Sequence, residues 1–110
     1  MKLKKNITLK LQSEDGDAVF TFRTARLNEL LEEQAQREKQ ELAGGEAVRR
    51  MFADVTKRLI SVSGLEWDDG TPISINEVQE LHLDVETMRA IVEGYYAATG
   101  FKAADPEKKD

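Results

Sequence analysis

The residue types that could do covalent or acid–base chemistry are few in this 110-residue chain, and they are scattered. There is no cysteine, which removes disulfides, thiolate nucleophiles and cysteine-based metal sites together. His82 is the only histidine, between Leu81 and Leu83 at an expected helix junction. A single imidazole can act as a general base, but local spacing sets no serine–carboxylate partnership around it. A structural or exposed role is expected for His82, with a small hydrolase built on it as the enzymatic rival. The carboxylates Glu14, Asp15 and Asp17, and the pair Asp68–Asp69, lack the regular ligand alternation and terminal glutamate of a calcium loop. They read as turn residues. Gly44–Gly45 lies between two helical stretches, which suits a helix stop and not a phosphate-cradling loop after a strand. The chain is therefore expected to be no enzyme, with no catalytic residue, metal or cofactor.

Composition agrees with a binding role. Charged residues make up 34% and hydrophobic residues 40%, while aromatics are only 6%, so the core must rest mainly on aliphatic side chains. A net charge of −5 gives no concentrated basic surface overall, and nucleic acid is not an expected partner. The basic start Met1-Lys2-Leu3-Lys4-Lys5 lacks the apolar run of a signal peptide, and no stretch approaches a membrane span of roughly 18 apolar residues. The expectation is a cytoplasmic protein without membrane contact.

The elements that must position these residues follow from periodicity. Ile7, Leu9 and Leu11 alternate with Thr8, Lys10 and Gln12, the period of a half-buried strand. Asp15–Gly16 offers a two-residue turn, and counting outward from it pairs Leu11 with Phe20 and Leu9 with Phe22. A hairpin over about 3–24 results. A helix is expected over about 27–43, with Leu27, Leu30, Leu31 and Ala35 on its apolar side. Its charged stretch from Glu32 to Glu41 has no large apolar residue, and should project into solvent, fray or meet a partner through polar contacts. A second helix over about 46–63 aligns Val48, Met51, Phe52, Val55, Leu59 and Val62 on one stripe. Ser74 and Glu77 form a capping box for a helix over 75–81, and Asp84 caps a last helix over 85–99. The fold class is α+β, mainly α: an N-terminal β-hairpin packed on a small bundle of about four helices. One domain spans 1–101, and 102–110 has the composition of a disordered tail.

What remains for function is surface. Ala90, Gly94 and Ala97 lie along one side of the last helix, where small residues would let another helix approach, although ordinary exposed positions look the same in sequence. The ordinary reading is preferred, and Gly94 keeps the contact alternative open, because glycine inside a helix costs about 1 kcal/mol against alanine. Tyr95 and Tyr96 at the end of that helix join the candidate protein-binding residues. So does Trp67, a loop aromatic that serves as a lid on the core or as an interface anchor.

The order of elements also resembles a known family. From Leu59 the chain reads Leu59-Ile60-Ser61-Val62-Ser63-Gly64, then Asp69-Gly70-Thr71-Pro72-Ile73-Ser74. Glu77-Val78-Gln79-Glu80-Leu81-His82-Leu83 comes next, and Asp84-Val85-Glu86-Thr87-Met88 runs on to Tyr95-Tyr96. This is similar to the tail assembly chaperones of long-tailed, siphovirus-type bacteriophages. They pair an N-terminal hairpin with a helix ending in an aliphatic segment, then a turn, a short helix and a last helix with an aromatic end. The resemblance spans nearly the whole chain, and its motifs are capping and core patterns. It implies a chaperone of virion morphogenesis, a late protein that keeps the tape measure protein soluble and helps recruit tail tube subunits. It further implies a homo-oligomer, a longer frameshifted form of the same protein as a further partner, and residence in the host bacterial cytoplasm but not in the mature virion. A generic cytosolic helical adaptor or regulatory subunit is the alternative.

Overall fold

A computed structural model describes residues 1–80 and 83–101. Strands β1 (Asn6–Ser13) and β2 (Gly16–Arg23) form the hairpin, followed by α1 (Leu27–Lys39) and α2 (Gly45–Thr56). Strand β3 (Leu59–Ser63) and the helices α3 (Ile75–Gln79) and α4 (Val85–Thr99) complete the described elements. The sheet is antiparallel in the order β1-β2-β3. The chain is therefore a three-stranded sheet with helices, and not a hairpin on a four-helix bundle.

The difference arises at residues 59–63, expected to continue a helix over 46–63. Helix α2 stops at Thr56, and Leu59–Ser63 runs back along β2. Two forces favour the strand. The outer edge of β2 would otherwise leave its backbone groups without partners. Serines at 61 and 63 also sit better in an extended, half-exposed segment than in a helix interior. Leu59 and Val62 pair with Phe22 and Phe20, so both still face the core after a local irregularity at Thr21/Phe22. A helical stripe and a bulged strand thus bury the same side chains, which is why periodicity alone favoured the helix. The aliphatic segment that the phage resemblance put at a helix end is this strand.

The hairpin register also differs by one step of pairing. Leu9 faces Phe20, Leu11 faces Ala18 and Ile7 faces Phe22, with Ser13 opposite Gly16. Glu14 and Asp15 make the turn at negative φ, and Gly16 follows at φ 127°, so the one position needing positive φ lies after the two turn residues. The shift moves each partner by two, an even number, and leaves the inward face unchanged.

That face meets α2 and α4. Phe20, Phe22, Phe52, Val55, Val78, Ile91 and Tyr95 are fully buried in one apolar cluster. Each such burial stabilises by about 1.5–3 kcal/mol, so this cluster is the main favourable term. Tyr95 meets Phe22 edge-on at 5.2 Å, and its hydroxyl donates to the Arg23 carbonyl at 3.0 Å, tying α4 to the far end of β2.

Helix α1 docks by charge. Leu30 is its one buried apolar residue, whereas Leu27, Leu31 and Ala35 are exposed. The face turned inward carries Glu33 and Arg37, from the stretch expected to project or fray. Arg37 donates to Asp54 at 2.8 Å, and Glu33 accepts from Arg58 Nη2 and pairs with Lys57 at 2.7 Å. Arg58 also donates to the Asp54 carbonyl at 3.2 Å and lies under the ring of Tyr95, 5.8 Å from its centroid. Each charge on this seam between α1 and α2 has a counter-charge across it. That is why a stripe without large apolar residues can be buried.

Candidate functional site

The loop after β3 is built to present Trp67. Trp67 N–H donates to Thr71 O at 2.8 Å, Gly70 N–H to Trp67 O at 2.9 Å, and Ile73 N–H to Leu65 O at 2.9 Å. The buried Ile73 anchors this small ladder in the core. The capping box behind it forms: Ser74 Oγ accepts from Glu77 N–H, and Glu77 Oε1 accepts from Ser74 N–H, both at 3.2 Å. The other oxygen of Glu77 accepts from Trp67 Nε1 at 3.0 Å. One side chain therefore starts α3 and fixes the indole, which stays 38% exposed.

Trp67 stands at an open groove of about 720 Å³ between the hairpin turn, the 65–70 loop and the start of α4. Leu11, Ala18, Leu65 and Ala90 supply apolar surface, and Asp15, Glu66, Asp68, Asp84 and Glu86 line it with carboxylates and no cation. Asp84 caps α4 by accepting from Thr87 N–H at 3.3 Å and from the Thr87 hydroxyl at 2.5 Å. The Thr87 hydroxyl contact outweighs partial burial and holds the Asp84 pKa below its ordinary value. Asp69 is lowered likewise, first by the Thr71 side chain and then by its backbone N–H. The shape of the groove and its five carboxylates suit an amphipathic helix or peptide bearing Lys or Arg.

The residues singled out in sequence divide between this groove and the interior. Trp67 and Ala90 meet in the groove. Ala97 is exposed, but Gly94 faces inward: a Cβ built on it would lie 3.3 Å from both methyl carbons of Leu9. The glycine is there for β1 to approach α4, so the stripe Ala90–Gly94–Ala97 does not form one outward surface. Tyr95 and Tyr96 are buried. His82, Leu81 and the tail 102–110 lie outside the described residues.

The acidic groups that looked like separate turn features meet in space, since Asp15 and Asp68 line the same groove. Asp17 instead pairs with Lys10 at 3.2 Å. Sequence reading missed this convergence because it requires β3 to carry the 65–70 loop back beside the hairpin turn. Among the described residues no group of three or more histidines and carboxylates is placed to hold a metal ion. No helix among them is long and apolar enough to cross a membrane. Comparisons with protein-family models, curated proteins and solved structures gave no match.

Proposed function

We propose that this chain is a non-catalytic protein-binding chaperone of the phage tail assembly type. In this reading it acts in the host cytoplasm, keeps a tape measure protein soluble and assists recruitment of tail tube subunits. The observation that carries the binding role is the anionic groove with an apolar floor and a hydrogen-bonded, half-exposed Trp67 at its side. A long helical client offers amphipathic segments whose apolar faces need temporary cover, and the groove supplies apolar contact with a rim that selects for basic residues. The phage assignment rests on the resemblance of the motifs from Leu59 to Tyr96, with Leu59–Ser63 a strand where the resemblance has a helix end.

Coexpression with a tape measure protein tests it. The soluble fraction of that protein should rise when the chain is present, and an unchanged fraction would sink the reading. Trp67→Ala should weaken client binding by about 2 kcal/mol, roughly 30-fold, as expected for a central aromatic anchor. Trp67 is the only tryptophan, so its fluorescence reports occupancy of the groove directly.

A further inference from the structure

The cations of this acidic chain are concentrated at one place. Where β1 begins and β2 finishes lies an open groove of about 590 Å³. Lys5, Arg23, Arg26, Lys57 and Arg58 line it, five of the chain's 16 lysines and arginines, and no carboxylate does. These residues come from three separate stretches of chain. Backbone bonds hold the stretches together: Arg23 N–H donates to Arg58 O at 2.8 Å, and Thr24 N–H donates to Lys5 O at 3.0 Å.

Part of this charge is left over. Arg23 pairs with Glu29, Lys57 with Glu33 and Asp54, and Arg58 with Glu29 and Glu33. Lys5 and Arg26 are exposed and have no ion pair among the described residues. Arg23 is half exposed and donates three N–H groups, one to Thr24 O and two to Glu29, so two of the five on a guanidinium remain free. Arg58 Nε is buried without a hydrogen-bond acceptor, 3.7 Å from Glu29. An anion entering the groove therefore meets donors that the chain itself does not satisfy.

The lining selects among anions. It holds no aromatic ring, so a nucleobase has nothing to stack on. A net charge of −5 disfavours a long polyanion, most of whose phosphates would lie beyond this one groove. Three of the five cations are arginines, whose paired N–H donors match phosphoryl oxygens. Leu59 and Ile60, the latter 50% exposed, add apolar surface for the organic part of an ester.

We propose that this groove binds a phosphoryl group, free or carried on a small ester, with Lys5, Arg23 and Arg26 as its donors. The site is separate from the Trp67 groove, which lies at the opposite end of the hairpin, and does not depend on that groove taking a client.

The test titrates the full chain with inorganic phosphate and with phenyl phosphate at low salt, followed by calorimetry and by amide shifts in NMR. Saturable shifts are expected at Lys5, Thr24, Arg26 and Ile60, with Trp67 fluorescence unchanged. Tighter binding of phenyl phosphate assigns an ester, and equal binding assigns the free anion. Lys5→Gln with Arg26→Gln should weaken binding by about tenfold or more, through the loss of two charge-assisted donors. Lys39→Gln with Arg49→Gln removes the same charge outside the groove and should leave the affinity within about twofold, since screening weakens distant charges. Circular dichroism confirms that both variants are folded. Absence of saturable binding would overturn the proposal, as would equal losses in the two double variants. A glutamate-rich peptide that binds as tightly as phosphate would also overturn it, by making the groove a site for acidic peptides. None of these outcomes involves a client protein, so they are distinct from failure of the coexpression test.

Discussion

Glu33→Ala puts the charged seam under direct test. Its side chain is nine-tenths buried, and it is the main counter-charge of Arg58, whose own side chain has no exposure. Burial works against the Arg58 charge, but the hydrogen bond and charge of Glu33 outweigh it, aided by Tyr95 and Glu29, so its pKa is raised. The guanidinium cannot escape by losing its proton. After the substitution it keeps the Asp54 carbonyl and a carboxylate oxygen of Glu29 at 3.7 Å, while Lys57, half exposed, can turn to water. Breaking a buried pair from one side costs about 3–5 kcal/mol, and these surviving contacts argue for the lower end, about 3 kcal/mol. With a urea slope of about 1.5 kcal/mol/M, the unfolding midpoint should fall by about 2 M. Replacing both partners, Glu33→Leu with Arg58→Met, should cost far less, because no charge is then left buried. A Glu33→Ala midpoint within about 0.3 M of wild type, or a double variant worse than the single one, would refute the claim that charge pairing docks α1.

Four other outcomes are expected. Gly64→Ala should lose about 3 kcal/mol or more in chemical unfolding, because φ there is 75° and the new Cβ would lie 2.1 Å from the Asp17 carbonyl oxygen. Tyr95→Phe should lose about 1 kcal/mol with its bond to Arg23, whereas Tyr96→Phe should be close to neutral, since the buried Tyr96 hydroxyl makes no hydrogen bond of ordinary geometry among the described residues. Burial raises the pKa of both tyrosines, with Arg58 and Arg37 pulling partly the other way, so absorbance titration of the folded chain should place both ionisations above pH 10; stability is full below that pH and falls as it is exceeded. Glu29 is lowered to about 2, first by Arg23 and then by the Arg26 backbone N–H, so its contribution is complete above pH 4.5 and is lost as pH falls through about 2. Acid titration should show the stability gap between wild type and Glu29→Gln closing over that interval.

Local signals in the sequence translated well wherever one residue's chemistry decided the outcome. Alternation at Ile7, Leu9 and Leu11 marked a strand, and Ser74 and Asp84 marked helix starts that need only their own side chains and the next turn. The reading failed where tertiary partners decided. Leu59 and Val62 satisfy a helical and a strand pattern equally, and only the waiting edge of β2 separates them. Glu33 and Arg37 look like solvated charges until Arg58 and Asp54 are seen opposite them, 25 and 17 residues away. In the groove, Trp67 stood out as a lone aromatic in a loop, but its acidic company came from three separate stretches of chain. Gly94 stood out as a place for another helix to approach, but what comes close to it is Leu9, on a strand of the same molecule.

The position of β3 governs how the chain can reach its native state. β1 and β2 are joined by a tight turn, so they can pair through local search, whereas β3 comes to β2 only after some 35 intervening residues that include both α1 and α2. Closing that long excursion is easier once α1 and α2 have met across their charges, because the seam shortens the distance still to be searched. Until β3 arrives, the aromatic side of the hairpin lacks part of its cover, and conditions that weaken charge pairing should slow refolding more than they speed unfolding.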